Sequence, residues 1–507
     1  MAGTTARTVR RYVDKQAKEQ PGSAYLIAPE TGRALTFGAL RREAGNLCRF
    51  LLGSGYVPGD RIAFYCANGC QTAAILLGTM YGGFVSVPLN LLSQTSQLEY
   101  VLAHSGTRLV FADAEHAESI AERVKVTGRD IEIIVVDVDA PSLFFEDRLP
   151  DIDVREACEE DPALLMYTSG TTGRPKGCLL TQKNVISGAL FVQQAHQLGP
   201  RDRVLSSLPL YHINGQIVAT VGPLVHGGSV VAPHRFSVSQ FWALLDRHEC
   251  TWFNVVPTII SYLVAAGANE THPDRGARVR FGRSASAALA PELHRAFERK
   301  FGLSIIETMG MTETAAPIFS NPLEQSARKY GSVGKPVGNV ARVVCPDGTL
   351  CEAGEIGELA VRGDNVMREY FANPEETAKA FDAEGWLRTG DLGFADSDGY
   401  YFVTGRLKEL IIKGGENIAP REIDDVLYKH PAVMDAAAVG IPDAHYGQDI
   451  FCAIVLKPGS TATEEELRGF CEKELGRFKT PKVFRFMTDL PKGPSGKVQR
   501  LKLLDAE

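Results

Sequence analysis

The segment LLMYTSGTTGRPKGCLL, residues 164–180, places hydroxyl groups, bare backbone amides and one ammonium group in a single turn. The residues that carry these groups are Thr168, Ser169, Gly170, Thr171, Thr172, Gly173 and Lys176. Such a set suits an anion with many oxygens. It is not a Walker loop, because Pro175 stands where that pattern needs its second glycine. An ordinary turn between two strands is the alternative, since Gly, Ser and Pro favour turns.

Four later stretches also hold charged groups that could take part in chemistry. MTET contains Glu313, RTGD contains Asp391, GRLKELIIKGGEN contains Arg406 and Lys408, and LPKGPSGKVQR contains Lys497. Each residue taken alone has an ordinary interpretation, such as a solvated loop carboxylate or a charged linker residue. The order and number of these stretches must therefore decide their meaning.

The composition is that of a soluble globular protein of two or more domains. The chain has 507 residues, of which 44% are apolar and 23% charged, with a net charge of -7 that disfavours nucleic acid as a partner. No apolar run has membrane-spanning length, the N-terminus has no apolar signal-peptide core, and LDAE is not a peroxisomal address. The ten scattered cysteines form no zinc-like set, so we expect reduced, mostly buried thiols and a cytoplasmic location.

From about Arg61 to Gly310, strand-like and helix-like stretches alternate. Repeated βα units predict mainly parallel sheets covered by helices, and ligands in such folds bind beyond the carboxyl ends of the strands. The Thr/Ser/Gly loop, the SASAA turn after Arg283 and the TMGMTE stretch all fall at predicted strand ends. The elements therefore bring these three stretches to one edge.

The sequence pattern changes beyond about Glu324. Short strands and Gly/Asp turns predict a small antiparallel barrel, and a compact tail begins beyond Arg406. In the tail, a helix is expected to begin at Pro420, and Thr463 with Glu466 predicts a capping box. A tail of this length is sufficient for an independent domain.

Taken in order, YTSGTTGRPKG, MGMTE, TGD, GRLKELIIKGGEN and PSGKVQR resemble the signature stretches of the adenylate-forming superfamily. This superfamily includes acyl-CoA synthetases, peptide-synthetase adenylation domains and firefly luciferase. The resemblance covers nearly the whole chain, and TWFNVVPTII, RSASAALAPEL, FSNPLE and GSVGKPVG look most like the oxalate–CoA ligase branch. It implies an α/β fold with a large N-terminal domain of βα-layered sheets plus a small distorted β-barrel, residues 1–405. A small mobile α+β C-terminal domain, residues 406–507, would follow.

The resemblance also implies site residues for ATP and Mg²⁺. Glu313 and Thr168 would bind the metal, and Asp391 with Arg406 would bind the ribose. The whole implied ATP/AMP set is Thr168, Ser169, Gly170, Thr171, Thr172, Gly173, Lys176, Ser284, Ala285, Ser286, Ala287, Thr308, Met309, Gly310, Thr312, Asp391 and Arg406. Met309 stands where many relatives have a tyrosine against the adenine, so the stacking there differs.

The implied reaction has two halves. A carboxylate that is already ionised attacks the α-phosphorus of ATP, and Lys497 bridges the carboxylate and the phosphate as a point charge. The small domain then pivots at Lys408, and a thiol attacks the acyl-adenylate. Gly414, Gly415 and Glu416 match the pantetheine tunnel, and His212 matches a residue that gates thiol entry, although an ordinary core histidine is the alternative.

The sequence specifies the thiol acceptor and the acid substrate less closely than it specifies the ATP site. Coenzyme A is the expected acceptor. An acyl-carrier protein, a luciferin reaction and a catalytically silent nucleotide-binding scaffold are the alternatives, and a homodimer is left open. His212, Asn214, Gly310 and Ala316 are the expected acyl-pocket residues. Because Asn214 and Ala316 offer no charge, we predict a monocarboxylate with a sizeable apolar body, and a small oxalate-type diacid is the alternative.

Overall fold

The computed structural model describes residues 6–144, 149–168, 175–266, 278–492 and 498–504. Within them the strands, in chain order, are β1 Ala24–Ala28, β2 Arg33–Thr36, β3 Arg61–Tyr65, β4 Val85–Pro88, β5 Leu109–Asp113, β6 Glu132–Val136, β7 Pro162–Thr168, β8 Lys176–Thr181, β9 Arg203–Leu205, β10 Ser229–Val231, β11 Trp252–Val255, β12 Phe281–Ser284, β13 Ile305–Met311, β14 Ala316–Ser320, β15 Lys335–Pro336, β16 Val340–Val344, β17 Gly357–Arg362, β18 Glu369–Tyr370, β19 Leu387–Ala395, β20 Tyr401–Arg406, β21 Ile411–Lys413, β22 Glu416–Ile418, β23 Val433–Asp443, β24 Gly447–Leu456 and β25 Val483–Phe486.

The helices follow the same alternation with the strands. They are α1 Val9–Glu19, α2 Phe37–Gly53, α3 Cys70–Tyr81, α4 Thr95–Ser105, α5 Ala117–Thr127, α6 Gln182–His196, α7 Gly222–His226, α8 Val238–Arg247, α9 Pro257–Ala265, α10 Pro291–Phe301, α11 Pro374–Ala380, α12 Pro420–Leu427 and α13 Glu464–Lys479. A π-helical segment, Asn214–Val221, precedes α7, and short 3₁₀ turns lie at Thr312–Thr314, Gln325–Ala327, Leu407–Glu409 and Arg500–Leu503.

Two large sheets form the N-terminal part. The first has nine strands in the order β15-β14-β13-β12-β11-β9-β10-β1-β2, and the second has seven in the order β18-β8-β7-β4-β3-β5-β6. The central pairs are parallel, and antiparallel pairs lie towards the edges. Helix α3 is buried along its whole length, and most of its side chains are apolar or small. The predicted parallel βα architecture is confirmed.

The third sheet is the small antiparallel one that the Gly/Asp turns predict, in the order β16-β17-β19-β20. Beyond the end of β16, Cys345 and Cys351 form a disulfide with a Cα–Cα distance of 5.3 Å. The expectation that all ten thiols are reduced is therefore wrong for this pair, because a tight turn that pairs Val344 with Leu350 brings the two cysteines together. Of the eight free cysteines, all except Cys158 are buried.

The last sheet, with the order β22-β21-β24-β23 and β25 paired to β24, belongs to a smaller C-terminal domain. Helix α12 begins at Pro420, and its Ile423 and Leu427 pack into a core whose described members lie between Ile411 and Phe484. The capping box of Thr463 and Glu466 is present at the start of α13. The mixed α/β fold with a large and a small domain is thus confirmed, and the boundary at residue 405 stays a prediction.

Within the described ranges, no helix combines the length and the apolar character that crossing a lipid bilayer requires.

Candidate functional site

A buried carboxylate lies just beyond the end of β13. Glu313 is 8% exposed, and its Oε1 accepts a hydrogen bond from the Tyr370 hydroxyl at 2.9 Å. Lys176 Nζ lies 5.0 Å from the centroid of the Tyr370 ring and pairs with Glu376. Thr168 stands opposite Lys176 in the β7–β8 pairing. Tyr370 therefore links the carboxylate of MTET to the lysine that follows the Thr/Ser/Gly loop.

The electrostatics of this cluster keep the phenol a donor. Burial, and then the neighbouring Glu313 carboxylate, raise the pKa of Tyr370 above its usual value. The ion pair with Lys176, and a second one with Lys379, lower the pKa of Glu376. The Tyr370 hydroxyl therefore keeps its proton and can donate it to Glu313.

A second charged pair lies where β19 and β20 run side by side. Asp391 is opposite Arg406 in the antiparallel register, and Arg406 Nε is 2.8 Å from Asp391 Oδ1. Burial opposes the charge of Arg406, but Asp391, Glu409 and Glu313 outweigh burial and raise its pKa. Asp391 and Arg406, which the family resemblance assigns to one ribose, therefore lie in contact.

The turn after β12 and the start of β14 hold backbone in the left-handed region. Ser286 has φ 73°, Ala315 φ 43° and Ala316 φ 79°, which is uncommon for residues other than glycine and costs free energy. Gly310 must be glycine, because a Cβ there would lie 1.4 Å from the Ala316 carbonyl oxygen. Strained backbone of this kind often marks a binding site.

The remaining predicted adenine-side residues lie on β13 or in the turns that follow β12 and β13. Thr308 Oγ1 donates to the Ser284 carbonyl oxygen at 3.3 Å, and the amide of Ala285 donates to the carbonyl oxygen of Val255 at 3.3 Å. Met309 is half-buried against the main core. The others are Ala287, half-buried, and Thr312, half-buried at the start of the 3₁₀ turn that carries Glu313.

The expected acyl-pocket residues include one charged neighbour that the sequence analysis missed. Asn214 opens the π-helical segment, two residues after the half-buried His212, whose ring lies 4.9 Å from that of Tyr211. Asn214 Oδ1 accepts a hydrogen bond at 2.9 Å from Arg283, a residue of β12 that is 2% exposed. A guanidinium from a separate strand therefore lies beside Asn214, where the sequence analysis counted no charge.

The residues expected at the hinge and tunnel lie at the start of the small domain. Lys408 is exposed in the 3₁₀ turn between β20 and β21. Gly414 and Gly415, with φ 59° and 86°, form the two-residue turn between β21 and β22, and Glu416 follows it. Left-handed conformation at both positions explains the Gly-Gly pair. The turn is exposed, and a Cβ on Gly415 would meet no atom within 4 Å.

Six predicted site residues lie outside the described ranges, namely Ser169, Gly170, Thr171, Thr172, Gly173 and Lys497. Two residues that the sequence analysis did not single out contact predicted site residues. Tyr370 binds Glu313 from 57 residues away, and Arg283 joins Asn214 from 69 residues away. The available signal for Arg283 was a charged residue inside a short predicted strand.

The two residues predicted to bind Mg²⁺, Glu313 and Thr168, have donor atoms that fit this ion. A carboxylate and the Thr168 hydroxyl are hard oxygen ligands, which Mg²⁺ prefers and commonly supplements with water and substrate phosphates. The Tyr370 hydrogen bond uses Oε1 of Glu313 and holds the carboxylate in place. Such an outer contact orients a ligand without displacing the metal.

Comparisons with known proteins agree with this geometry. The AMP-binding enzyme model matches residues 13–371, and the AMP-binding enzyme C-terminal domain model matches residues 422–497. The chain is 53% identical to a sulfoacetate–CoA ligase of Cupriavidus necator, over 98% of this chain and 97% of that protein. It is 34% identical to an oxalate–CoA ligase of Arabidopsis thaliana, over 99% of this chain and 97% of that protein.

A solved structure of similar shape is ATP-bound MatB from Rhodopseudomonas palustris, with a TM-score of 0.91 and 29% identity, covering 99% of each chain. The predicted resemblance to adenylate-forming enzymes is confirmed over nearly the full length. The chain belongs to the AMP-binding enzyme family and is an ATP-dependent acid–thiol ligase of the acyl-CoA synthetase type.

Proposed function

We propose that this acyl-CoA synthetase activates a small acid that carries a second anionic group, with sulfoacetate as the first candidate. The observation that carries the proposal is the 53% identity, along almost the whole of both chains, to a sulfoacetate–CoA ligase. The oxalate–CoA ligase at 34% identity also acts on an acid with two anionic groups. The proposal replaces our expectation of an apolar acid, because that expectation assumed a pocket without charge.

In the first half-reaction, the acid carboxylate attacks the α-phosphorus of ATP and pyrophosphate leaves. A carboxylic acid is ionised at neutral pH, so the protein needs no general base and acts by positioning and by stabilising charge. Asp391 accepts the ribose hydroxyls, and Arg406 donates to the same sugar. Both are already held to each other at 2.8 Å, so the ribose meets a preorganised pair.

The phosphates of ATP would bind the Thr/Ser/Gly loop and Lys176. Lys176 pairs with Glu376 in this structure, and it would exchange that carboxylate for phosphate oxygens. Glu313 and Thr168 would hold Mg²⁺, which neutralises charge on the phosphates when it is bound. Lys497 would bridge the acid carboxylate and the α-phosphate as a compact point charge.

In the second half-reaction, the thiol of CoA attacks the acyl-adenylate and AMP leaves. We assign the tunnel for its thin pantetheine arm to the Gly414–Gly415 turn, where the absence of side chains permits close approach to the backbone. The turn is exposed and belongs to the small domain, and a rotation about Lys408 would present it to the acyl-adenylate. His212 would gate entry of the thiol.

A panel of acids tests the proposal. The full chain is assayed for AMP release with sulfoacetate, oxalate, malonate, propionate, hexanoate and benzoate, with CoA present and absent. We expect kcat/KM to be highest for a doubly anionic acid and release to depend on CoA. A higher kcat/KM for hexanoate or benzoate would overturn the proposal.

The same assay distinguishes CoA from the alternative acceptor, an acyl-carrier protein. Rapid formation of the acyl-adenylate without turnover on CoA would favour an acyl-carrier protein. We propose the cytoplasm as the location, because the reaction consumes the ATP and CoA that cells hold there.

A further inference from the structure

The side chain of Arg283 is enclosed without a carboxylate partner among the described residues. It is 2% exposed in β12, and its Nη1 donates to Asn214 Oδ1 at 2.9 Å and to Asn254 Oδ1 at 3.1 Å. Its Nε is buried and has no hydrogen-bond partner. A buried cation is normally paired with an anion, because removal of a charge from water is expensive. This arginine instead faces two neutral amides.

The amides around Arg283 are themselves fixed in direction. Asn254 lies opposite Arg283 in the β11–β12 register, and its Nδ2 donates to Asn214 Oδ1 at 3.1 Å. Asn214 Nδ2 lies 3.2 Å from Ser286 Oγ, in the exposed turn that we assign to adenine. The network thus runs from the buried guanidinium to the nucleotide-side turn, and it begins two residues after His212.

Burial lowers the pKa of Arg283 to about 9, which still leaves the guanidinium protonated at neutral pH. An amide oxygen orients an N–H donor but does not neutralise its charge. An aspartate in place of either asparagine would neutralise the charge of Arg283. A bound anion would then gain no favourable charge interaction with it. The two asparagines therefore hold a charge in place and keep it available.

We propose that Arg283 binds the second anionic group, a sulfonate or a carboxylate, of the acid that this ligase activates. The inference rests on the proposed function and adds the residue that recognises the remote end of the substrate. Arginine suits both groups, because its planar fork donates two hydrogen bonds to paired oxygens. An acid with a neutral tail would leave the guanidinium buried and unpaired, so the same residue rejects it.

The experiment compares kcat/KM for sulfoacetate and for propionate, which has the same carboxylate and a neutral tail. The variants are Arg283→Met, which keeps an unbranched side chain and removes the charge, and Asn254→Asp, which adds an internal carboxylate beside Arg283. Arg280→Met is the matched control. Arg280 precedes β12, is bound to Asp202 at 2.7 Å and donates to the His196 carbonyl oxygen at 3.0 Å.

We expect Arg283→Met and Asn254→Asp each to lower kcat/KM for sulfoacetate by roughly 10²-fold or more, because a buried charge pair is broken or replaced. The value for propionate should stay within a few-fold, and Arg280→Met should keep the wild-type ratio. A ratio of the two acids that is unchanged in both test variants overturns the inference. Calorimetric AMP binding checks folding, and if Arg283→Met fails that check, Asn254→Asp decides alone.

Failure of the proposed function has a different signature. If the wild-type enzyme prefers propionate or hexanoate to every doubly anionic acid, the substrate class is wrong. If the wild type prefers a doubly anionic acid other than sulfoacetate, that acid replaces sulfoacetate in the comparison. If the wild type prefers a doubly anionic acid and both variants retain that preference, the class stands and only the role of Arg283 is refuted.

Discussion

The hydroxyl of Tyr370 should be required for use of Mg·ATP, although it belongs to none of the motifs that reveal the family. Tyr370→Phe keeps the ring 5.0 Å from Lys176 and removes only the O–H that donates to Glu313 at 2.9 Å. A hydrogen bond to a charged group contributes roughly 1.5–3 kcal/mol. Since about 1.4 kcal/mol corresponds to a factor of ten, kcat/KM for Mg·ATP should fall by roughly 10- to 150-fold.

ATP–pyrophosphate exchange at varied Mg·ATP measures this loss, and calorimetry with AMP measures nucleotide binding without the outer phosphates. AMP binding should change little, because AMP lacks the β- and γ-phosphates. Tyr401→Phe is the control, since its hydroxyl donates to the Ala341 carbonyl oxygen, also at 2.9 Å, and away from the site. Equal exchange rates in the two variants, or an equal loss of AMP binding and exchange in Tyr370→Phe, would refute the role given to Tyr370.

Two further predictions divide the half-reactions. Lys497→Ala should abolish ATP–pyrophosphate exchange yet still form thioester from a supplied acyl-adenylate, and equal loss of both activities would contradict the assignment. Gly415→Phe should block thioester formation and leave exchange largely intact, because we assign this turn to the binding of CoA and not of ATP. Gly415→Asn is its control, since asparagine tolerates the φ of 86° better than most residues, and collapse of exchange in Gly415→Phe would show that the tunnel lies elsewhere.

The sequence was sufficient for the architecture because its periodicities are local. Buried strands rich in β-branched residues and helices of regular length predict parallel βα units, and the Thr-x-x-Glu pattern predicts a helix cap that the structure contains. The proximity of Asp391 and Arg406 was also predictable, since both residues lie in stretches that match the family pattern and are assigned to the same ribose. Each of these inferences needs only neighbours in the chain or a known motif.

The substrate end of the site was not predictable in this way. Arg283 meets Asn254 through the register of two parallel strands, and it meets Asn214 at the start of the π-helical segment. No local pattern encodes either contact. The disulfide of Cys345 and Cys351 was missed for a similar reason, because a spacing of six residues permits a bond only when the turn has the right geometry.

The charge on Arg283 has a consequence for the size of the substrate. A two-carbon acid exposes roughly 50 Å² of apolar surface, so its burial contributes only about 1 kcal/mol. Such an acid cannot be held in attacking position by hydrophobic contact, and its remote anion must supply the binding energy that aligns the carboxylate with the α-phosphorus. Loss of Arg283 should therefore lower kcat for sulfoacetate as well as raise its KM. A change in KM alone would mean that Arg283 only binds the acid and does not align its carboxylate with the α-phosphorus.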